Sequence, residues 1–165
     1  MINLFKFFNI KSVITIIVCT ITLGALSGCF GKQKTVSNLS TEEIGEQIKH
    51  VTNLEEMKEG DHKKLQKLYN ISVDEVEDFI LFTAPTNIKA DEVAVIKVKD
   101  TKNVEDIKGK ISSRVEKKSK SFQDYLPDEH FLITKHVLKT KGNYVLLAIS
   151  KDSDKIEKTF DEILK

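Results

Sequence analysis

Cysteine is nearly absent from the 165 residues: Cys19 and Cys29 are the whole complement. Both fall within the first thirty positions, so residues 30–165 hold no thiol for a disulfide, a soft metal or a covalent nucleophile. A fold in that region must rest on its hydrophobic core alone. Proline occurs twice, at Pro85 and Pro127, and each marks the edge of an apolar pattern. Gly60, Gly109 and Gly142 stand isolated, which excludes a glycine-rich loop that cradles phosphate. No serine sits in a Gly-x-Ser-x-Gly turn, the strained corner that presents a hydrolase nucleophile. An excess of one charge is missing as well. With 26 basic and 25 acidic side chains the chain has no global field of the kind that draws a protein to nucleic acid.

What is present begins at the N-terminus. Met1 to Lys11 carries Lys6 and Lys11 and no acid, and residues 12–25 are almost wholly apolar or small. Leu26-Ser27-Gly28-Cys29 follows. A basic stretch, an apolar run and small residues before a cut define a secretory signal peptide. Ser27 and Gly28 let a peptidase approach the backbone, Leu26 fills an apolar subsite, and Cys29 offers a thiol for a diacylglyceryl thioether. These four residues resemble the bacterial lipobox. The resemblance implies cleavage between Gly28 and Cys29 and an anchor of palmitate-type chains on Cys29. Each buried methylene contributes about 0.8 kcal/mol, and two chains hold where one is marginal. The competing readings are an uncleaved membrane helix and a core helix; a span needs about 20 apolar residues, and this run is at the short end for one.

Loss of 28 residues from 165 leaves 137, suited to one domain, with 24 basic against 25 acidic side chains. Residues 29–39 read as the lipidated cysteine and a tether. Ten flexible residues reach roughly 15–20 Å, which keeps the domain close to the bilayer. The domain itself is predicted over residues 40–165. Ser40 and Glu43 form a capping box, and Leu39 and Ile44 are spaced for a hydrophobic staple. A helix follows to about Val51. Asp61 caps a second, ending near Tyr69. Residues 73–84 and Glu92 to Lys99 read as strands, the latter with Ala94, Ile96 and Val98 on one buried face. A long helix is predicted from about Asn103 to Leu126, with Val104, Ile107, Ile111, Val115, Phe122 and Tyr125 inward. Pro127-Asp128-Glu129 can open a further turn. A hairpin pairs His136–Thr140 with Tyr144–Ser150 around Gly142. Ser153 caps a last helix. The order ααββαββα predicts an α+β domain: a four-stranded antiparallel sheet with helices packed on one face.

Three strings then carry a resemblance. They are Ala90-Asp91-Glu92-Val93-Ala94-Val95-Ile96-Lys97, Tyr125-Leu126-Pro127-Asp128-Glu129 and Lys141-Gly142-Asn143-Tyr144-Val145-Leu146-Leu147. With the lipobox, the chain resembles bacterial lipoproteins of domain-of-unknown-function family 4358, over about residues 41–150. The resemblance implies a fold and an address; it implies no activity and no catalytic residue.

Candidate chemistry is sparse. Asp91 and Glu92 form an acid pair at a strand start, fit to bind a cation or accept a proton, or else a solvated turn. Tyr125 can line a ligand groove or pack inward. Lys108, Lys110, Arg114, Lys117, Lys118 and Lys120 make one basic face of the long helix, suited to anionic lipid or wall polymer, or simply to water. His50, His62, His130 and His136 lack the spacing of a helical zinc motif, and Ser112, Ser113, Ser119 and Ser121 have no base partner in the sequence. No metal and no cofactor is expected. The expected product is a lipoprotein held at the extracytoplasmic face of the cell membrane by Cys29, matured by lipoprotein-processing enzymes. It acts there as a binding or accessory module for an envelope protein, an anionic polymer or a small molecule. The alternatives are an enzyme acting on an envelope substrate and a structural or stress lipoprotein.

Overall fold

The computed structural model describes residues 39–165, so the leader, Cys29 and the tether up to residue 38 lie outside the described residues. Helix α1 spans Thr41–Lys49. Its start is the expected capping box: the Ser40 hydroxyl accepts from Glu43 N–H and the Glu43 carboxylate accepts from Ser40 N–H. A short strand β1, Lys58–Glu59, comes next. Helix α2, His62–Tyr69, is capped by Asp61 and closed by Asn70 in the left-handed conformation. Strands β2 (Val76–Thr83) and β3 (Glu92–Val98) form the first hairpin. Helix α3 covers Val104–Phe122 and helix α4 covers Pro127–Thr134, with Pro127 in the first turn. Strands β4 (Val137–Lys141) and β5 (Tyr144–Ile149) form the second hairpin, turning on Gly142 at φ +60°. Helix α5, Ser153–Ile163, ends the chain.

The strands form one antiparallel sheet in the order β1-β2-β3-β5-β4. The mixed α+β class expected from the pattern is present, but the sheet has five strands rather than four. The added β1 is only two residues long, too short for any periodicity to reveal. Three other boundaries differ. Residues 73–75 form a 3-10 turn before β2. The long helix stops at Phe122, and the turn at Pro127 opens a helix of its own. Asp152, not Ser153, occupies the cap position of α5.

The larger correction concerns the faces of the sheet. Helices cover both of them, making three layers. On one face Ala94, Ile96, Val98, Val145, Leu147 and Ile149 pack with Leu65 and Tyr69 of α2 and with Ile107, Ile111 and Val115 of α3. On the other, Val93, Val95, Tyr144, Leu146 and Ala148 pack with Ile44 and Ile48 of α1 and Ile156 and Phe160 of α5. Every residue of β3 and β5 is buried. These two central strands are near-continuous apolar runs because both their faces are dry. Lys97 gave the impression of a wet face. Its stem is buried beneath the sheet's neighbours while its ammonium reaches Glu77 Oε1 at 2.7 Å and lies 5.7 Å from the Tyr144 ring centre.

The chain enters the domain at one end of the strands. The Tyr144 hydroxyl donates to the Leu39 carbonyl at 2.6 Å, and Thr41 N–H donates to Asp78 Oδ2 at 2.8 Å. Tyr144 and Asp78 both pair with Lys97 in the ladder. The opposite end of the sheet is the register row Thr83, Glu92 and Ile149.

Candidate functional site

That opposite end carries a buried charge. Glu92 opens β3, and the pleat turns its side chain to the α2–α3 face, where it is 0% exposed. A lone buried carboxylate is too costly to persist, and this one is fully coordinated. The Tyr69 hydroxyl donates to Oε1 at 2.5 Å, Arg114 Nε donates to Oε1 at 3.2 Å and Nη2 to Oε2 at 2.9 Å, and Lys118 Nζ donates to Oε2 at 2.7 Å. Tyr69 comes from the end of α2, while Arg114 and Lys118 are one turn apart on α3. A single carboxylate thus ties the sheet to two helices.

The electrostatics follow from the geometry. Burial opposes ionisation of Glu92, but the Arg114 hydrogen bonds and the charges of Lys118 and Arg114 outweigh it and hold the carboxyl below its ordinary value. Burial also drives Lys118 down, and Glu92 only partly restores it. Burial and then the neighbouring carboxylate push the Tyr69 phenol well above its usual range, so it stays a neutral donor.

Above Glu92 lies a cleft of about 410 Å³. Its walls are Lys58 of β1, Lys64 and Leu68 of α2, Thr83 at the end of β2, the β2–β3 loop from Ala84 to Lys89, and Arg114, Lys118, Ser121 and Phe122 of α3. Five cations and one carboxylate line it. Lys64 donates to the Thr83 hydroxyl at 2.6 Å, and Lys58 is exposed; neither forms an ion pair among the described residues. Lys89 is paired with Glu129 at 2.6 Å. Glu129, itself buried, also accepts from Ala90 N–H at 2.7 Å and so pins the β2–β3 loop to α4.

The acid pair read from the sequence is split. Adjacent residues on a strand face opposite ways, so Asp91 leaves the cleft and joins a neighbouring pocket of about 560 Å³ with Thr52, Asn53, Glu56 and Glu129. Burial raises the Asp91 carboxyl above its ordinary value, and the Glu129 charge adds to it. The solvated turn expected for the pair is absent at Glu92, which has no exposure at all. Tyr125, expected on the inner face of the long helix, is 83% exposed in the turn after α3, because that helix ends a residue turn earlier. The basic outer face of α3 is also revised: Arg114 and Lys118 point inward to Glu92, and Lys110 pairs with Glu75 and Asp106.

The sequence did contain a sign of Lys118. The buried positions of α3 are Val104, Ile107, Ile111, Val115, Lys118 and Phe122, a run of three- and four-residue steps with one lysine inside it. A cation on an apolar stripe calls for a buried acid opposite. Lys58, Lys64 and Tyr69 gave no such sign, since their meeting depends on tertiary packing. Ser119, without a base partner in the sequence, has its Oγ 2.9 Å from His130 Nε2. That contact ties α3 to α4 and lies outside the lining of the cleft. His136 Nδ1 is 2.7 Å from the Ile133 carbonyl oxygen.

The family described as Domain of unknown function (DUF4358) matches residues 50–150, and the chain belongs to it. No curated protein and no solved structure matches the chain.

Proposed function

We propose that this family member is an extracytoplasmic binding module, lipid-anchored through Cys29, whose ligand site is the cleft over Glu92. The observation that carries the reading is the state of Glu92. All its strong partners are already engaged, so it serves as a fixed floor and not as a proton acceptor waiting for substrate. The cleft around it offers cations and small polar groups on rigid elements, the arrangement of a recognition site. The address is supported by the basic and apolar leader and by Leu26-Ser27-Gly28-Cys29. Among the described residues no helix is long and apolar enough to cross a membrane. Maturation by lipoprotein-processing enzymes requires diacylglyceryl transfer to the Cys29 thiol and release of residues 1–28.

The test uses full-length protein expressed with its leader and extracted in detergent. An envelope extract is expected to raise the thermal midpoint of the wild type and to leave a Lys58→Glu/Lys64→Glu variant unchanged. Steady consumption of an extract component by the wild type would replace this reading with the enzymatic one, for which the Ser119–His130 contact is the starting point.

A further inference from the structure

We infer that the cleft over Glu92 binds a phosphate group, at the end of the sheet opposite the one where the chain enters the domain. The inference rests on the reading of that cleft as a ligand site. Its first support is the charge left over. Arg114 and Lys118 share Glu92, and Lys89 is matched by Glu129, whereas Lys58 and Lys64 have no carboxylate among the described residues. Five cations against these two acids leave an excess of three positive charges around about 410 Å³. Such an excess calls for a multiply charged anion.

The disposition of the donors selects phosphate over carboxylate. A carboxylate is planar and is best met by the fork of an arginine. The Arg114 fork is already turned onto Glu92 through both Nε and Nη2. The remaining cations are ammonium groups, point charges that suit the spread oxygens of phosphate. The two without a carboxylate approach from separate elements, Lys58 from β1 and Lys64 from α2, so two oxygens can be met from different sides at once.

The cleft stands apart from the point where the tether enters the domain. Leu39, where the tether meets the domain, is held by Tyr144 at the Lys97 row of the sheet. The cleft lies at the Glu92 row, five residues along β3, and on the opposite face. At about 3.3 Å per residue the two rows are roughly 17 Å apart. The chain therefore joins the domain at one pole while the cleft opens at the other.

The experiment is calorimetric titration of full-length, detergent-extracted protein at low salt with pyrophosphate, glycerol phosphate and, as a carboxylate comparison, citrate. Pyrophosphate is expected to bind at one site, and Lys58→Glu/Lys64→Glu to weaken it on the order of tenfold or more. Lys102→Glu, an exposed reversal at the tether end, is expected to leave affinity unchanged. Equal binding by all three proteins would overturn the site. If citrate or the envelope extract acts through Lys58 and Lys64 while both phosphates fail, phosphate is refuted and the ligand cleft survives. If the extract has no effect on any protein, the ligand-site reading itself fails.

Discussion

Glu92 concentrates the energetics of this domain in one side chain. Its partners hold its carboxyl below the ordinary value of 4.5, so the folded state gains from its ionisation. That gain is complete above the ordinary value and is lost as pH falls through the lower, folded value. Glu92→Gln keeps the volume and an acceptor for Tyr69 but leaves Arg114 and Lys118 facing each other without a counter-charge. A destabilisation of about 3 kcal/mol near neutral pH is expected, in the range for breaking a buried ion pair. Urea unfolding followed in successively more acidic buffers should show the gap between wild type and variant closing as Glu92 protonates. A gap that persists unchanged in acid would mean that the loss comes from packing and not from charge. Tyr69→Phe removes one hydrogen bond to the same carboxylate and is expected to cost about 1.5–3 kcal/mol. At this scale the sequence was only partly readable. Glu92 stood out as an acid beside an apolar strand, and Lys118 broke an apolar stripe, but the side chains that unite them come from three elements separated in the chain.

Elements were more legible than their arrangement, for a local reason. Caps and turns are short-range chemistry, and Ser40 with Glu43, Asp61 with Lys64 N–H, and Gly142 all stand where the pattern put them. Layering is a long-range property. Alternation in β3 suggested one wet face because lysines at 97 and 99 mimic solvent positions, yet Lys97 lies buried along Tyr144. Two glycines show the same division. Gly142 sits at φ +60° in open space, so Gly142→Ala is opposed by backbone strain alone, about 1 kcal/mol, and the β4–β5 hairpin should survive it. Gly60 has an ordinary backbone but a tight neighbour: an added Cβ would meet Leu81 Cδ2 at 2.7 Å and Cγ at 2.8 Å. Its N–H also donates to the Leu81 carbonyl at 2.7 Å, which seats the corner before α2 against β2. Gly60→Ala should therefore shift Leu81 or lift that corner, with a larger loss of thermal stability than Gly142→Ala. Comparable midpoints for the two variants would show that the corner yields freely. Lys58 and Lys64 flank this corner, so the same variant should also weaken ligand binding at the cleft.

The whole molecule divides its labour between its two ends. The sheet fixes the distance between the tether pole, at Tyr144 and Asp78, and the cleft pole, at Thr83 and Glu92. The ion pairs at Glu77–Lys97 and at Glu92–Lys118 stand at opposite ends of β3. Anchoring should therefore change where the domain is found without changing how it folds. Cys29→Ala removes the thiol that a diacylglyceryl group requires, so processing should stop and the precursor retain residues 1–28. Wild-type protein is expected to partition into the detergent phase with the mass of the processed, acylated chain, and the variant to keep an intact Met1 and carry no acyl mass. The variant's domain should unfold at the same urea concentration as the wild type, because Leu39 and everything after it are unchanged. An acyl mass on the variant, or a wild type recovered without one and with Met1 in place, would dismiss the anchor.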